Sequence, residues 1–252
     1  MIDLHCHVLP GVDDGARSLD EALSMARIAV ADGIQRLVAT PHQIGWDGAK
    51  CRAIAAQVEN LQRELNTCGI PLTLASGVEM YLVLDLLQES GNERAHTLNR
   101  SRYILLELPL TDYPLYTDEV IFALQLRGLV PILAHPERNA AIQDDPNRML
   151  RLVERGVLGQ LTASGLLDSA DRRIRLTAER LLERGLAHVL ATDGHDAAQS
   201  APRLAEGVRA AARIVGRERA VAMVTEIPEA ILADREISSP PPRQVKLSRR
   251  WF

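Results

Sequence analysis

The sequence lacks several things that would have decided its class early. Its 252 residues hold three cysteines, Cys6, Cys51 and Cys68. That is too few for a disulfide framework, and the odd number fits a reducing compartment. No apolar run approaches the roughly 18 residues of a membrane span. The start, Met-Ile-Asp-Leu-His, has no basic stretch leading into an apolar one, so no secretory leader and a cytoplasmic location are expected. No Gly-x-Gly-x-x-Gly follows a strand pattern, which leaves dinucleotide binding unsupported. Two nucleophile signatures are missing as well. Cysteine phosphatases carry an Arg six residues after the Cys, where this chain has Val12, Gln57 and Leu74. The stretch Ala163-Ser164-Gly165 lacks the first Gly of a serine-hydrolase elbow.

What remains is an ordinary globular balance, 46% hydrophobic and 25% charged, at a length that suits one large domain or two small ones. The charge is unevenly spread. The last 18 residues hold Arg235, Arg243, Lys246, Arg249 and Arg250 against Glu236, so the net −4 divides into −8 on 1–234 and +4 on 235–252. An acidic body argues against nucleic-acid binding and suits a protein that holds cations. The expected division is a body, 1–234, and a Pro-rich basic tail, 235–252. The tail's Ser238-Ser239-Pro240-Pro241-Pro242 can continue neither a helix nor a central strand, and it reads as a solvated extension.

Short β-branched runs alternate with helical patterns in the body. Strands are expected at Ile2–His5, Arg36–Thr40, Leu72–Ser76, Tyr103–Leu108, Val130–Ala134, Val157–Thr162 and Ala187–Thr192. Ser18-Leu19-Asp20-Glu21 is a capping-box pattern opening a helix that Gly33 closes. Ile54, Val58, Leu61 and Leu65 mark one helix face. Seven strand-then-helix units imply a parallel α/β sheet, because parallel neighbours need a crossover. A closed β/α barrel is the first choice and a doubly wound open sheet the second. Val221–Val224 reads equally well as a helix or an eighth strand.

In such barrels chemistry sits at the C-terminal strand ends. Those ends carry His5 and His7, His42, Glu79, Glu107, His135 and Asp193 with His195; the sixth offers only Thr162 and Ser164. The strand-end markers recur 27 to 37 residues apart, about one strand-helix unit. His5 and His7 are two apart on a strand and share a face. Cys6, between them, points the other way, as a small buried residue. Glu107 interrupts an apolar strand, where an unpaired carboxylate is costly and a bound cation removes the cost. Asp13-Asp14, in the first loop, brings further carboxylates, and Asp14 is taken as a ligand. The nine side chains His5, His7, Asp14, His42, Glu79, Glu107, His135, Asp193 and His195 exceed one ion's needs and suit two or three ions. Imidazole and carboxylate without thiolate point to manganese, zinc or iron rather than calcium. Arg138, three residues after His135, can clamp a phosphoryl oxygen or be a surface residue. Arg203 is a weaker candidate of the same kind. Trp46 reads as loop packing, and His96 and His188 as structural.

The stretches Met1-Ile2-Asp3-Leu4-His5-Cys6-His7, Val12-Asp13-Asp14-Gly15, Gly77-Val78-Glu79-Met80-Tyr81, Ala134-His135-Pro136-Glu137-Arg138 and Thr192-Asp193-Gly194-His195 together resemble the PHP (polymerase and histidinol phosphatase) superfamily. Within it the chain is similar to the manganese-dependent protein-tyrosine phosphatases of bacterial capsule and exopolysaccharide operons (CpsB/YwqE-like). The resemblance implies a single-domain, distorted (β/α)7 barrel with three divalent ions, manganese first. One ion would sit on His5, His7, Glu79 and Asp193, a second on Glu79, Glu107 and His135, and a third on Asp14, His42 and His195. It implies Arg138, with His42 and Asp193, in catalysis. A second family arginine falls near Ser200, where Arg203 is the replacement to check. The implied substrate is a phosphotyrosine-bearing tail of a cognate tyrosine kinase, with no nucleic acid and no membrane insertion; a homo-oligomer is left open. Histidinol phosphate or another small phosphoester is the alternative substrate.

Overall fold

The structure, a computed structural model, describes residues 1–88, 91–237 and 241–245. Nine strands lie on seven rungs among these residues. Strand β1 spans Ile2–Cys6, β2 Arg36–Ala39 and β3 His42–Ile44. Strand β4 spans Thr73–Ser76, β5 Glu79–Tyr81 and β6 Tyr103–Glu107. Strand β7 spans Val130–Ala134, β8 Leu158–Thr162 and β9 Val189–Ala191. All pairs are parallel, in the orders β1-β2-β4 and β3-β5-β6-β7-β8-β9. The ring closes where Asp193 N donates to His5 O at 2.9 Å and His7 N to Gly194 O at 2.8 Å. This is the distorted (β/α)7 barrel.

The second and third rungs are each broken in two, and the expected strands, ending at Thr40 and Ser76, covered only the first half of each. Pro41 separates β2 from β3 because it has no N–H for a ladder. Gly77-Val78 separates β4 from β5, and Leu98 fills the gap that opens between β4 and β6. A Cβ on Gly77 would lie 2.9 Å from Leu98 Cδ2 and 3.1 Å from Val38 Cγ1, so only glycine lets that side chain in. The third unit also departs from strand-then-helix. Three short 3₁₀ turns, Leu84–Leu87, Glu93–His96 and Leu98–Arg100, stand where an α-helix was expected.

The other crossovers are helical. Helix α1 (Leu19–Ala31) is capped by Ser18, whose Oγ accepts from Glu21 N at 3.3 Å, and Gly33 leaves it at φ +94°. Helix α2 (Gly48–Thr67) buries Ile54, Val58, Leu61 and Leu65 as their spacing requires. Its Gln62 accepts from Leu74 N and donates to Leu72 O, occupying backbone groups beside the β4 edge. Then come α3 (Thr117–Leu126), α4 (Ala140–Asp144), α5 (Asn147–Glu154), α6 (Arg172–Glu183) and α7 (Ala205–Val215). Helix α8 (Arg217–Ala222) takes up part of the ambiguous Val221–Val224 stretch, and α9 is Glu226–Leu232.

Two apolar layers result. Ile2, Leu4, Val38, Leu98, Tyr103, Leu105, Ile132 and Val189 fill the barrel's lower interior, plugged by Ile231 and Leu232 of α9. The alternate strand residues, such as Leu37, Ile104, Leu133 and Leu190, pack outward in a second core that takes in residues of the helices. One irregularity matters for function. The β1–β2 register slips by a residue between Asp3 and Cys6, so Leu4 and His5 both lie opposite Val38. The bulge lets Leu4 join the interior while His5 also reaches the barrel axis.

The tail differs from a solvated extension where it is described. Val245 is buried, its N–H and C=O bonded by the Asn147 amide, and Arg243 N donates to Arg184 O. Ser238–Pro240 and 246–252 lie outside the described residues.

His188, at the entry to β9, is buried, and its Nδ1 accepts from Gly159 N at 3.0 Å, which requires the neutral ring. Burial and then Arg219 hold its pKa down to about 4. With the unfolded value at about 6.5, the unfolded chain binds the extra proton between pH 4 and 6.5. This group's stability contribution is full above pH 6.5 and falls by up to about 3 kcal/mol toward pH 4. Urea unfolding across that range should show a shallower acid loss in His188→Gln than in the parent; identical slopes would contradict this.

Candidate metal centre

The upper end of the barrel gathers all nine residues expected there. His5 and His7 come from β1 and the turn after it, and His42 opens β3 opposite Glu79 at the start of β5. Glu107 ends β6. His135 and Asp193 follow β7 and β9 in left-handed backbone, at φ +31° and +53°. Two non-glycine residues in that region at the same mouth are strained backbone held by its surroundings, about 1–3 kcal/mol each. Asp14 sits on the exposed first loop, 3.5 Å from His42 Nε2 and 3.6 Å from His195 Nε2.

Glu79 is the centre of the cluster. Its Oε2 lies 3.1 Å from His5 Nε2, 3.3 Å from His7 Nε2 and 3.0 Å from His42 Nδ1. Its Oε1 lies 3.0 Å from His135 Nε2. Three donor groups can be drawn within it. They are His5, His7, Glu79 and Asp193; His42, Glu79 and Glu107; and His7, Asp14, His42 and His195. The first is the set expected. The second has His42 beside the carboxylates, with His135 close by, 3.7 Å from Glu107 Oε1. The third gains His7. His7, His42 and Glu79 are therefore shared between groups; the expected lists shared Glu79 but not His7 or His42.

The electrostatics favour added positive charge. Burial alone would raise the Glu79 carboxyl, but the imidazoles of His5, His135 and His42 hold it well below the usual carboxylate range. Burial also opposes a charged His5, yet Glu79 and Asp193 win and push it up to about 9. Glu107 is raised by burial and by Glu79. Buried Glu79 Oε2, Glu107 Oε2 and His42 Nδ1 have no hydrogen-bond partner, although the first and last are only 3.0 Å apart. Orphaned donor atoms converging at ion-pair distance are what a cation site requires, so the residues fit divalent metal ions.

The outer partners are equally specific. His5 Nδ1 donates to Gln160 Oε1 at 2.8 Å, His7 Nδ1 to Asp13 Oδ2 at 2.7 Å, and His195 Nδ1 to Asp193 O at 2.9 Å. Each bond sets the tautomer that leaves Nε2 free to face inward. Asp13 also accepts from Gly15 N and His42 N. The His7 imidazole, ahead of its other partners, holds the Asp13 carboxyl down at about 2 despite burial. Glu137 accepts from Thr162 N and Oγ1, fixing the Pro136–Arg138 turn to the end of β8. Sequence reasoning named Asp14 but gave Asp13, Gln160 and Glu137 no role. Gln160 could have been found by the rule applied to Glu107, since it interrupts the apolar strand Val157–Leu161.

Arg138 Nη1 donates to Asp193 Oδ2 at 2.6 Å, so this arginine faces the centre. Arg203 is exposed, and no hydrogen bond or ion pair joins it to the centre among the described residues. The position it was to replace, Ser200, donates its hydroxyl to Asp193 O and accepts from His195 N. Cys6 is buried with its Sγ on Gly194 O. Trp46 packs edge-on against buried His96, 5.0 Å between ring centres.

A closed parallel barrel with imidazoles and carboxylates converging at its upper mouth defines a barrel protein of the metal-dependent hydrolase type. Dihydropyrimidinase from Brevibacillus agri shares that fold at a TM-score of 0.54 and 11% identity, over 91% of this chain and 70% of that one. More specifically, the chain belongs to the capsular polysaccharide synthesis family CpsB/CapC, which it matches over residues 1–233. It is 34% identical to tyrosine-protein phosphatase YwqE of Bacillus subtilis over 247 residues, 98% of this chain and 97% of that one. With tyrosine-protein phosphatase CpsB of Streptococcus pneumoniae it shares 28% over 244 residues, covering 94% and 100%. A chain from the crystal structures of these two proteins, described as unique metal-dependent tyrosine phosphatases, superposes at a TM-score of 0.88, with 32% identity over 98% of this chain and all of that one.

Loss of an outer partner that orients a ligand typically costs 10–100-fold in metal affinity. Asp13→Asn should therefore weaken manganese binding about 10–100-fold in calorimetric titration. Equal affinity in parent and variant would contradict the role given to Asp13.

Proposed function

We propose that the protein is a metal-dependent tyrosine-protein phosphatase, a phosphoric monoester hydrolase acting on phosphotyrosine in capsule or exopolysaccharide synthesis. The observation that carries this is the convergence of nine imidazole and carboxylate side chains, with Arg138 beside them, in a chain whose relatives bear that name. Those relatives favour it over a histidinol-phosphate or other small-molecule phosphoesterase. In the finer reading, residues 1–234 form the catalytic body and 235–252 a tail. The body holds three divalent ions, manganese before zinc or iron, on His5, His7, Asp14, His42, Glu79, Glu107, His135, Asp193 and His195. The substrate is a flexible tyrosine-bearing tail of a cognate kinase, and the setting is cytoplasmic. No helix among the described residues is long and apolar enough to cross a membrane. Self-association is part of this reading only as an open possibility.

The bound cations supply Lewis acidity, lowering the pKa of water and neutralising phosphoryl oxygens. The chain's own residues do the rest. Gln160, Asp13 and the Asp193 carbonyl fix the tautomers of His5, His7 and His195. Arg138 uses one guanidinium nitrogen on Asp193, leaving further N–H groups for an equatorial phosphoryl oxygen. Asp193 thereby links the phosphate clamp to the ligand set, and His42, shared by two donor groups, links two cation positions. Water attacks phosphorus in line and the P–O bond to the aryl group breaks. The phenolate, of pKa about 10, leaves without a strong general acid. No covalent phospho-enzyme is expected on this route, since water is the attacking group.

Arg138→Ala and His42→Ala separate the two kinds of role. In the manganese-reconstituted protein Arg138→Ala should retain the parent's metal content by mass spectrometry yet lose on the order of 10²-fold or more in kcat/KM on a phosphotyrosine peptide. His42→Ala should lose bound manganese together with most turnover. Full activity in either variant, or a metal-loaded parent inert on every phosphomonoester, would overturn the assignment.

A further inference from the structure

We propose that Ile44, backed by Tyr81 and Leu84, forms an apolar wall on the β3–β5 side of the mouth that receives the aromatic ring of an aryl phosphomonoester. This rests on the phosphatase reading and adds the source of its preference for phosphotyrosine. The argument begins in the strand register. His42 pairs with Glu79 and Leu105, Gln43 with Met80 and Leu106, and Ile44 with Tyr81 and Glu107. Side chains alternate between faces. The middle row faces the helices, where Met80 and Leu106 join the outer core and Gln43 meets Cys51 of α2. The first and third rows face the barrel axis, and Leu105 lies in the interior cluster. Ile44 and Tyr81 therefore occupy the layer directly above His42 and Glu79.

That layer is built for an apolar guest. The Tyr81 ring stacks on the His42 ring, 5.2 Å apart and 19° from parallel. Ile44 is 69% exposed beside it, in a row that ends at Glu107. Leu84, 51% exposed, is on the neighbouring loop, since a Cβ on Gly45 would come within 3.9 Å of Asp85 Oδ2. Four of the eight exposed large hydrophobic residues among the described ones lie at the end of β3 (Ile44) or on the segments leaving β5 and β6 (Leu84, Leu110 and Leu115). None lies on the loops leaving β7, β8 or β9. Arg138 follows β7, three rungs from β3 in a seven-rung ring, so the phosphate clamp and the apolar wall face each other across the mouth. In this proposal the ester oxygen of a phosphoryl group on Arg138 lies on the side of Ile44. Trp46, read from the sequence as loop packing, is turned into the core edge against His96.

Ile44 is the clean handle, because it is exposed and not among the donor groups. For the manganese-loaded parent, Ile44→Ala and Ile44→Asp, kcat/KM is measured on p-nitrophenyl phosphate and on β-glycerophosphate, and metal content on the same samples. Comparing the aryl-to-alkyl ratio between variants cancels the intrinsic reactivity of the two esters. The ratio should fall about tenfold in Ile44→Ala and further in Ile44→Asp, at unchanged metal content. An unchanged ratio overturns the wall and leaves the phosphatase reading standing. Should the parent hydrolyse neither ester, that reading falls, and binding still decides the wall. Phenylphosphonate must then lose affinity relative to methylphosphonate on Ile44→Ala, and equal losses overturn it.

Discussion

The structure depends on one buried carboxylate. Glu79 has no solvent exposure and lies within 3.3 Å of ring nitrogens from His5, His7, His42 and His135. A lone carboxylate at such a site would be expensive to bury and would protonate instead. Here the surrounding imidazoles keep it ionised, at the cost of drawing protons onto themselves. The arrangement is one in which positive charge must be supplied, and divalent cations supply it more compactly than protonated rings.

The barrel's irregularities serve that requirement. A regular β1 would send either Leu4 or His5 outward; the one-residue slip between Asp3 and Cys6 accommodates both. Breaking the second rung at Pro41 and the third at Gly77-Val78 starts new short strands at His42 and Glu79, which then pair directly. His135 and Asp193 both turn through left-handed backbone on leaving β7 and β9, and both are tied down by neighbours, through Glu137–Thr162 on one side and Ser200 on the other. The same mouth is divided by character, with Arg138 on one side and exposed Ile44 on the other.

Much of this was legible in the sequence because most of the candidate site's side chains stand at the ends of apolar strands. Glu107 after Ile104-Leu105-Leu106 is the plainest case, and the alternation of seven strand-then-helix units made the closed parallel barrel the first choice. The details that were not legible depend on contacts between distant segments. That Asp13 bonds the His7 ring, while Asp14 approaches His42 and His195, cannot be read from two adjacent aspartates. The missing third helix was hidden because the stretch after Tyr81 still carries apolar residues, Leu84, Leu86 and Leu87, which form a 3₁₀ turn instead. Arg203 is exposed, and among the described residues no bond ties it to the centre. The docking of Val245 depends on Asn147, nearly one hundred residues away.

The account is tested most directly by anomalous diffraction at the manganese edge from crystals grown with excess manganese. It predicts peaks within coordinating distance of the Nε2 atoms of His5, His7 and His195 and of the Glu79, Glu107 and Asp193 carboxylates, with Glu79 touching more than one peak. A mouth without anomalous density, its imidazoles turned away from Glu79, would contradict it.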